Sequence, residues 1–593
     1  MDKSTEKIDL KYIYRLLLHK KRALIIGQII TIIAILVNVP IPLMLPALVD
    51  EVLLNKPDFF INTINNYIGI GDSLYYILIV TFVVVLLRFI YFLINVVITK
   101  IFTSISKYIT FKIREKLIRH LQKVSMNEYE SLGSGAVAAN LITDVNTLDN
   151  FIVTSASKLI SSILTLIAVS IVMVAIHPIL GILILIIQPI IVLLSKKISK
   201  QVGTLKRVEN EAIEEFQNNI GESLELFGQI KASNKESYFF DKAINKAKDI
   251  QITSNEYNYK SVAYERFSFT IFLIAFESLR ASGLIMVAYS DLSIGMMFAM
   301  FGYIWFIMTP VQDILSMQYA YSTANAALKR INRIFDLNIE TNGDKILKKD
   351  KQGIQIELKD LNFSYNPSKR LLKDITLKIK PKEKVALIGA SGSGKTTLAQ
   401  IIAGFYTKRG GDLYYNGISI DQIDKKSLRD EIFLVLQMPI LFNNTLRFNI
   451  TMGDQNIKDD QIYKAIEAAM LKDSVDNMTD GLDTIVGKHG VRLSGGQRQR
   501  LSIARMIIAN PSVVIFDEST SALDVHTEAK LFDNLKPILK NKTVITIAHR
   551  LSTVKNADTI YVLDDGLIVQ KGTPQKLEEE EGHYLEFVKK QLI

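Results

Sequence analysis

The 593-residue sequence contains no cysteine. Disulfides, thiol catalysis and thiolate metal sites are therefore excluded together. Internal repeats are absent too. No A-x-A cleavage site follows the first apolar run, so that run is expected to stay in place as an anchor and not to be cut away as a leader. Lysine and arginine are scarce in three segments, 47–72, 176–178 and 290–292, each lying between apolar runs.

Apolar residues make up 49% of the chain and are concentrated before residue 320. The length is too great for one domain, and the composition too apolar for an ordinary soluble protein. Six stretches are long enough to cross a bilayer: 23–46, 73–99, 151–175, 178–196, 267–289 and 293–316. Basic residues crowd the flanks between them, at Lys20, Lys21 and Arg22, from Lys100 to Lys123, and from Lys196 to Arg207. The poor segments alternate with these basic ones. By the positive-inside rule both termini then lie in the cytoplasm. The net charge of +10 is accounted for by flanks facing anionic lipid, so no nucleic acid partner is expected.

Segments 100–150 and 197–266 are too long and too helix-periodic for simple loops, and are expected to be cytoplasmic helical extensions of the spans. Polar residues inside the spans are costly, which makes them candidates for a pathway: Gln28 and Asn38, Arg88 and Asn95, Gln188, and Glu277 with Arg280. Glu277 and Arg280 are three residues apart, so mutual neutralisation competes with a substrate role. Tyr303, Trp305 and Phe306 are suited to lining an apolar cavity or to packing, and Pro310 to kinking the last span.

The second half carries chemistry. Gly389, Ala390, Ser391, Gly392, Ser393, Gly394, Lys395, Thr396 and Thr397 fill the GxxxxGK[ST] template after the apolar run Val385 to Ile388. Its glycines let backbone N–H groups surround phosphates, Lys395 reaches the terminal phosphates, and the Thr396 hydroxyl suits Mg²⁺. The run Val513 to Phe516 looks like a buried parallel strand that delivers Asp517 and Glu518 at its end. Asp517 would help hold Mg²⁺ from outside its ligand shell, and Glu518 would polarise the attacking water. Gln437, after the strand Ile432 to Leu436, would contact both Mg²⁺ and that water. His549, after the strand Thr543 to Ala548, would sense the γ-phosphate, although a lone histidine at a strand end is more often structural.

Between loop and carboxylates lies Leu493, Ser494, Gly495, Gly496, Gln497. With that pentapeptide in place, residues from about 354 to 593 resemble the nucleotide-binding domain of an ABC transporter. The resemblance implies that ATP and Mg²⁺ are the cofactors and that Tyr365 stacks on adenine. It assigns Gln437 to the Q-loop, Glu518 to the catalytic base and His549 to the switch. It also implies that two such domains pair head to tail, so that Ser494, Gly495, Gly496 and Gln497 of one chain close over the ATP held by Gly389 to Thr397 of the other. One departure is the segment Thr484 to Gly490, which lacks two glutamates common there in exporters.

The expected architecture is a membrane α-helical bundle of six spans with long cytoplasmic helical extensions, fused to an α/β P-loop ATPase domain. Residues 1–336 form the first part, 337–353 a polar linker, and 354–593 the ATPase. By analogy with six-span exporters, Asn127 to Phe151 and Glu211 to Ile220 hold short coupling helices, with solvated amphipathic helices as the alternative. The expected activity is ATP-driven export or flipping of a hydrophobic or amphipathic substrate by a homodimer in the plasma membrane of a bacterium. The alternatives are a peptide exporter without a peptidase domain, which the absence of cysteine requires, and an ATP-gated channel.

Overall fold

A computed structural model of the chain describes residues 7–365, 369–487, 491, 493–518, 523–548 and 550–592, except for the side chains of 187–200 and a few other positions. Two compact units emerge: Met1–His120 with Gly135–Phe335, and Leu121–Ser134 with Asp336–Ile593.

The first unit is helical. Among the described residues five helices are long and apolar enough to cross a membrane: Lys21–Leu53, Ser73–Leu121, Gly135–Ile176, Glu236–Tyr289 and Ile294–Ile314. The stretch 178–196 begins a further helix, Pro178–Glu225, and lies partly outside the described side chains. Large apolar side chains stay exposed all along these helices, among them Ile29, Phe82, Phe92, Ile171 and Ile285. A helix apolar on every side suits hydrocarbon surroundings.

Inside the unit, Tyr303 is fully buried and its hydroxyl donates to the Val39 carbonyl at 2.6 Å. Glycine sets the hairpin between Ile160–Ile176 and Pro178–Glu225: a Cβ on Gly181 would lie 2.8 Å from the Met173 carbonyl oxygen. Pro178 opens the second helix at a position where its missing N–H costs nothing, and the His177 ring accepts from the Leu180 N–H at 3.3 Å. The helices Pro178–Glu225 and Glu236–Tyr289 run alongside each other, tied by Lys246 to Glu215 at 2.6 Å and by Ser254 to Glu209 at 2.6 Å. The short helix between them is Phe227–Ala232. Residues 211–220, expected to hold a coupling helix, are instead continuous with the long helix before it. Helical periodicity does not break until Leu226, which leaves helical geometry.

The second unit is α/β. A six-stranded sheet has the order Leu567–Gly572, Thr559–Asp564, Lys384–Gly389, Thr543–Ile547, Val513–Asp517, Ile432–Val435. All neighbours are parallel except the first pair. Ile547 pairs with both Leu387 and Asp517, so the carboxyl ends of these central strands share one edge. A four-stranded antiparallel sheet contains Ile356–Phe363 and Leu372–Ile379. Val513 to Asp517 are all buried, as a strand covered on both faces requires.

Residues 121–134 belong to this unit although they lie between spans in sequence. Backbone bonds join them to the segment after the last long helix: Ser125 N–H to Asn338 O at 3.0 Å and Glu340 N–H to Lys123 O at 2.8 Å. Residues 337–353 are laid against the ATPase sheets. Leu347 is buried in their core, and Lys345 exchanges backbone bonds with Gln422 and Asp424.

Candidate nucleotide-binding site

The phosphate loop leaves the strand Lys384–Gly389 at the shared sheet edge and enters the helix Lys395–Ile402. Gly389, Gly392 and Gly394 all adopt positive φ, at 149°, 84° and 99°. For Gly389 this is compounded by crowding, since a Cβ there would sit 2.0 Å from the Leu563 carbonyl oxygen. Gly389→Ala should therefore destabilise the ATPase unit by roughly 3 kcal/mol. A thermal-denaturation series with and without ATP measures this, and an unchanged midpoint would contradict it.

Two observations fit this loop to phosphate. Among the described residues the buried Ser393 hydroxyl has no hydrogen-bond partner, and nothing occupies the space where a Gly392 side chain would project. The Lys395 ammonium is buried and folds back on the loop, donating to Gly389 O at 3.1 Å and Ala390 O at 2.9 Å. Burial holds its pKa below the usual lysine value, partly offset by the charges of Glu518 and Asp517. An arriving phosphate would supply the negative charge this cation lacks.

The neighbouring strands bring up the remaining groups. Thr396 Oγ1 donates to Asp517 Oδ1 at 3.1 Å. A hydroxyl oxygen held in place by a carboxylate, beside the phosphate loop, suits a Mg²⁺ ligand. Gln437 Nε2 donates to Glu518 Oε2 at 2.6 Å, and Gln499 Nε2 holds the Gln437 carbonyl at 3.1 Å. Glu518 has a φ of 45°, a conformation that non-glycine residues rarely adopt and that concentrates at functional sites.

Tyr365 is half exposed, with its hydroxyl 3.0 Å from Thr397 Oγ1 and its ring edge-on to Phe363 and Tyr406 at 5.0 and 5.4 Å. An aromatic face held at the mouth of a phosphate loop is suited to stacking on a base. Tyr406 and Gln499 were not singled out from the sequence. Tyr406 donates to Glu130 Oε2 at 2.8 Å, so the aromatic pair is tied to the segment Leu121–Ser134 of the same unit. Burial, with the nearby Glu130 and Tyr365, raises the Tyr406 pKa. Glu130 lies 276 residues away in sequence, and no local pattern could have announced the pair.

Ser494 caps the helix Gly495–Ala509: Gln497 N–H donates to Ser494 Oγ at 3.2 Å and Ser494 N–H to Gln497 Oε1 at 2.8 Å. This reciprocal box leaves the first N–H groups of a 15-residue helix, beginning at Gly495 and Gly496, available for an anion. Asp524 caps the next helix by accepting from Thr527, whose hydrogen bonds hold its carboxyl below the usual range. His549 and Lys488 to Gly490 lie outside the described residues. In the span pairs, Arg280 meets Glu277 at 2.5 Å.

Comparison with known proteins bears on the whole chain. Residues 372–521 match the description ABC transporter, and residues 24–311 match ABC transporter transmembrane region. The chain is 30% identical over 492 residues to a putative multidrug export ATP-binding/permease protein, YgaD, of Bacillus subtilis (strain 168), covering 80% of this chain and 82% of that one. It is 31% identical over 503 residues to an ATP-dependent lipid A-core flippase of Nitrosococcus oceani, covering 81% of each. The solved structure of a bacterial Atm1-family ABC exporter with ATP bound superposes with a TM-score of 0.80 at 22% identity, over 99% of each chain.

Proposed function

Because this chain belongs to the ABC transporter family, a multi-pass membrane exporter with a fused ATPase, we propose that the residues gathered at the sheet edge hydrolyse ATP to drive a hydrophobic or amphipathic substrate out of the cytoplasm or inner leaflet. The observation that carries this reading is the pair of contacts at one edge, Thr396 to Asp517 at 3.1 Å and Gln437 to Glu518 at 2.6 Å. One pair is built to hold a cation and the other to orient water.

In this reading residues 1–336 are the transmembrane domain, 337–353 the connection and 354–593 the ATPase. Both termini lie in the cytoplasm of a bacterial cell. Tyr365 stacks on adenine. Gly389, Ser391, Gly392, Ser393, Gly394, Lys395 and Thr397 hold the phosphates through backbone N–H groups, hydroxyls and the ammonium. Thr396 and Gln437 would hold Mg²⁺, with Asp517 fixing Thr396; the ion supplies charge neutralisation at the phosphates. Glu518 accepts the proton of the attacking water, Gln437 orients Glu518, and His549 senses the γ-phosphate.

The working unit is a homodimer. Ser494, Gly495, Gly496 and Gln497 of each chain close over the nucleotide of the other. ATP binding drives the cycle only through its preference for the closed pair, and hydrolysis removes that preference. Reconstituted liposomes test the reading: ATP-dependent accumulation of a fluorescent amphiphile against its gradient is expected, and passive current in its place would identify a channel.

A further inference from the structure

The helical unit contains a partly open cavity of about 830 Å³, and its walls are not uniform. Thr81, Val84, Arg88, Tyr91, Asn95 and Ile98 line it from one helix, at alternating spacings of three and four that define a single face. Of the polar span residues read from the sequence, Asn38, Arg88 and Asn95 face this cavity, whereas Glu277 and Arg280 are absent from its lining and neutralise each other. Asn38 is nine-tenths buried and its Oδ1 has no hydrogen-bond partner among the described residues. A buried amide acceptor left unsatisfied in the wall of a cavity is costly without a compensating group, which marks this wall as polar.

Two further charges enter from other helices. Lys158 and Asp313 both line the cavity, with Nζ to Oδ1 at 3.5 Å, and Ser162 Oγ meets the other Asp313 oxygen at 3.4 Å. Asp313 thus offsets Lys158 loosely, while Arg88 has no ion partner among the described residues. Arg88 and Lys158 against Asp313 leave the cavity with a net positive charge, set among both polar and apolar side chains within the spans, an arrangement that persists where it serves a function. Polarity is also graded along it. Lys158, Ser162 and Asp313 lie toward the basic-flanked helix ends, whereas Pro42, Leu45 and Leu48 line the part near the opposite ends.

We propose that this cavity binds amphiphiles with an anionic head group, the head held by Arg88 and Lys158 and the tail laid along the apolar wall from Pro42 to Leu48. The proposal rests on the export reading and names the substrate class it requires. A guanidinium presents paired donors that match a phosphate or carboxylate head, and a quaternary ammonium head would be repelled by the same charge. Asn38 would donate to or accept from the linkage between head and tail.

The chain's one tryptophan, Trp305, lines this cavity, so its fluorescence reports occupancy of this place once quenching by tails dispersed in the micelle is subtracted. The full-length protein in detergent is titrated with a bromine-tailed dodecyl phosphate, a bromine-tailed dodecylphosphocholine of the same length, and inorganic phosphate as competitor. Saturable quenching by the alkyl phosphate is expected at a concentration about tenfold below that needed by the phosphocholine. Inorganic phosphate should not displace it, because the tail carries part of the binding. Arg88→Gln should abolish the preference and Arg88→Lys should keep most of it. Should Arg88→Gln fail to fold, Lys158→Gln serves in its place, with a loss of about threefold. Equal quenching by both head groups, a preference unchanged in the glutamine variant, or displacement by inorganic phosphate would each overturn the proposal. Uphill transport is measured separately, so a head-group preference without transport would overturn the export reading and leave this site standing.

Discussion

Glu518→Gln should lower ATP turnover about a thousandfold while leaving ATP binding intact. The substitution keeps the shape of the side chain and its place beside Gln437, which donates to Glu518 Oε2 at 2.6 Å. What it removes is the negative charge proposed to take a proton from the attacking water. The surroundings make the carboxylate hard to replace: Asp517 before it is 3% exposed and belongs to a strand buried along its length. The strained backbone at Glu518 fixes where the carboxylate emerges. With hydrolysis blocked and binding preserved, the closed pair should accumulate with ATP inside it. Phosphate release gives the rate, and gel filtration after a brief incubation with labelled ATP gives the trapped nucleotide. Turnover close to that of the parent protein would remove Glu518 from its role.

Gly495→Asp should be nearly as damaging, for a different reason. Gly495 opens a helix whose cap, Ser494, is engaged with Gln497, so the cap does not use the N–H groups of Gly495 and Gly496. A carboxylate there places negative charge where the partner's γ-phosphate is proposed to arrive. Turnover should fall about a hundredfold or more. Equilibrium binding of ATP to the phosphate loop of the same chain should change by less than about threefold, because Gly389 to Thr397 are untouched. A fluorescent ATP analogue measures the affinity, and a parallel loss of binding would show that the signature acts within its own chain.

The contrast between what the sequence revealed and what it did not follows from the range of the interactions. The phosphate loop was legible because its chemistry is local: glycines at fixed spacing permit a backbone that places N–H groups around phosphate. The strands expected at Val385 to Ile388 and Val513 to Phe516 are observed as Lys384–Gly389 and Val513–Asp517, since continuous apolar runs bounded by polar residues suit strands covered on both faces. The coupling helix expected within Glu211 to Ile220 is not a separate element, because helical geometry runs on past 220 and is interrupted only at Leu226.

Tyr406 and Glu130 were invisible for a different reason: what makes them notable is a contact between distant segments. The cavity shows both cases at once. Asn38, Arg88 and Asn95 stood out as polar groups in apolar helices, whereas Lys158 and Asp313 sit near span ends, where charged residues reach water without difficulty and attract no notice. Only the fold brings all five to one space.

The central claim is that the signature of one chain completes the ATP site of another. Mixing two inactive full-length variants, Lys395→Ala and Gly495→Asp, before reconstitution tests it most directly. In a mixed pair one site carries both defects and the other carries neither. Random pairing then predicts recovery of up to about a quarter of the parent ATPase rate, from two proteins that are each inactive alone. A mixture as inactive as its components, or a single chain that hydrolyses ATP unaided, would contradict the account.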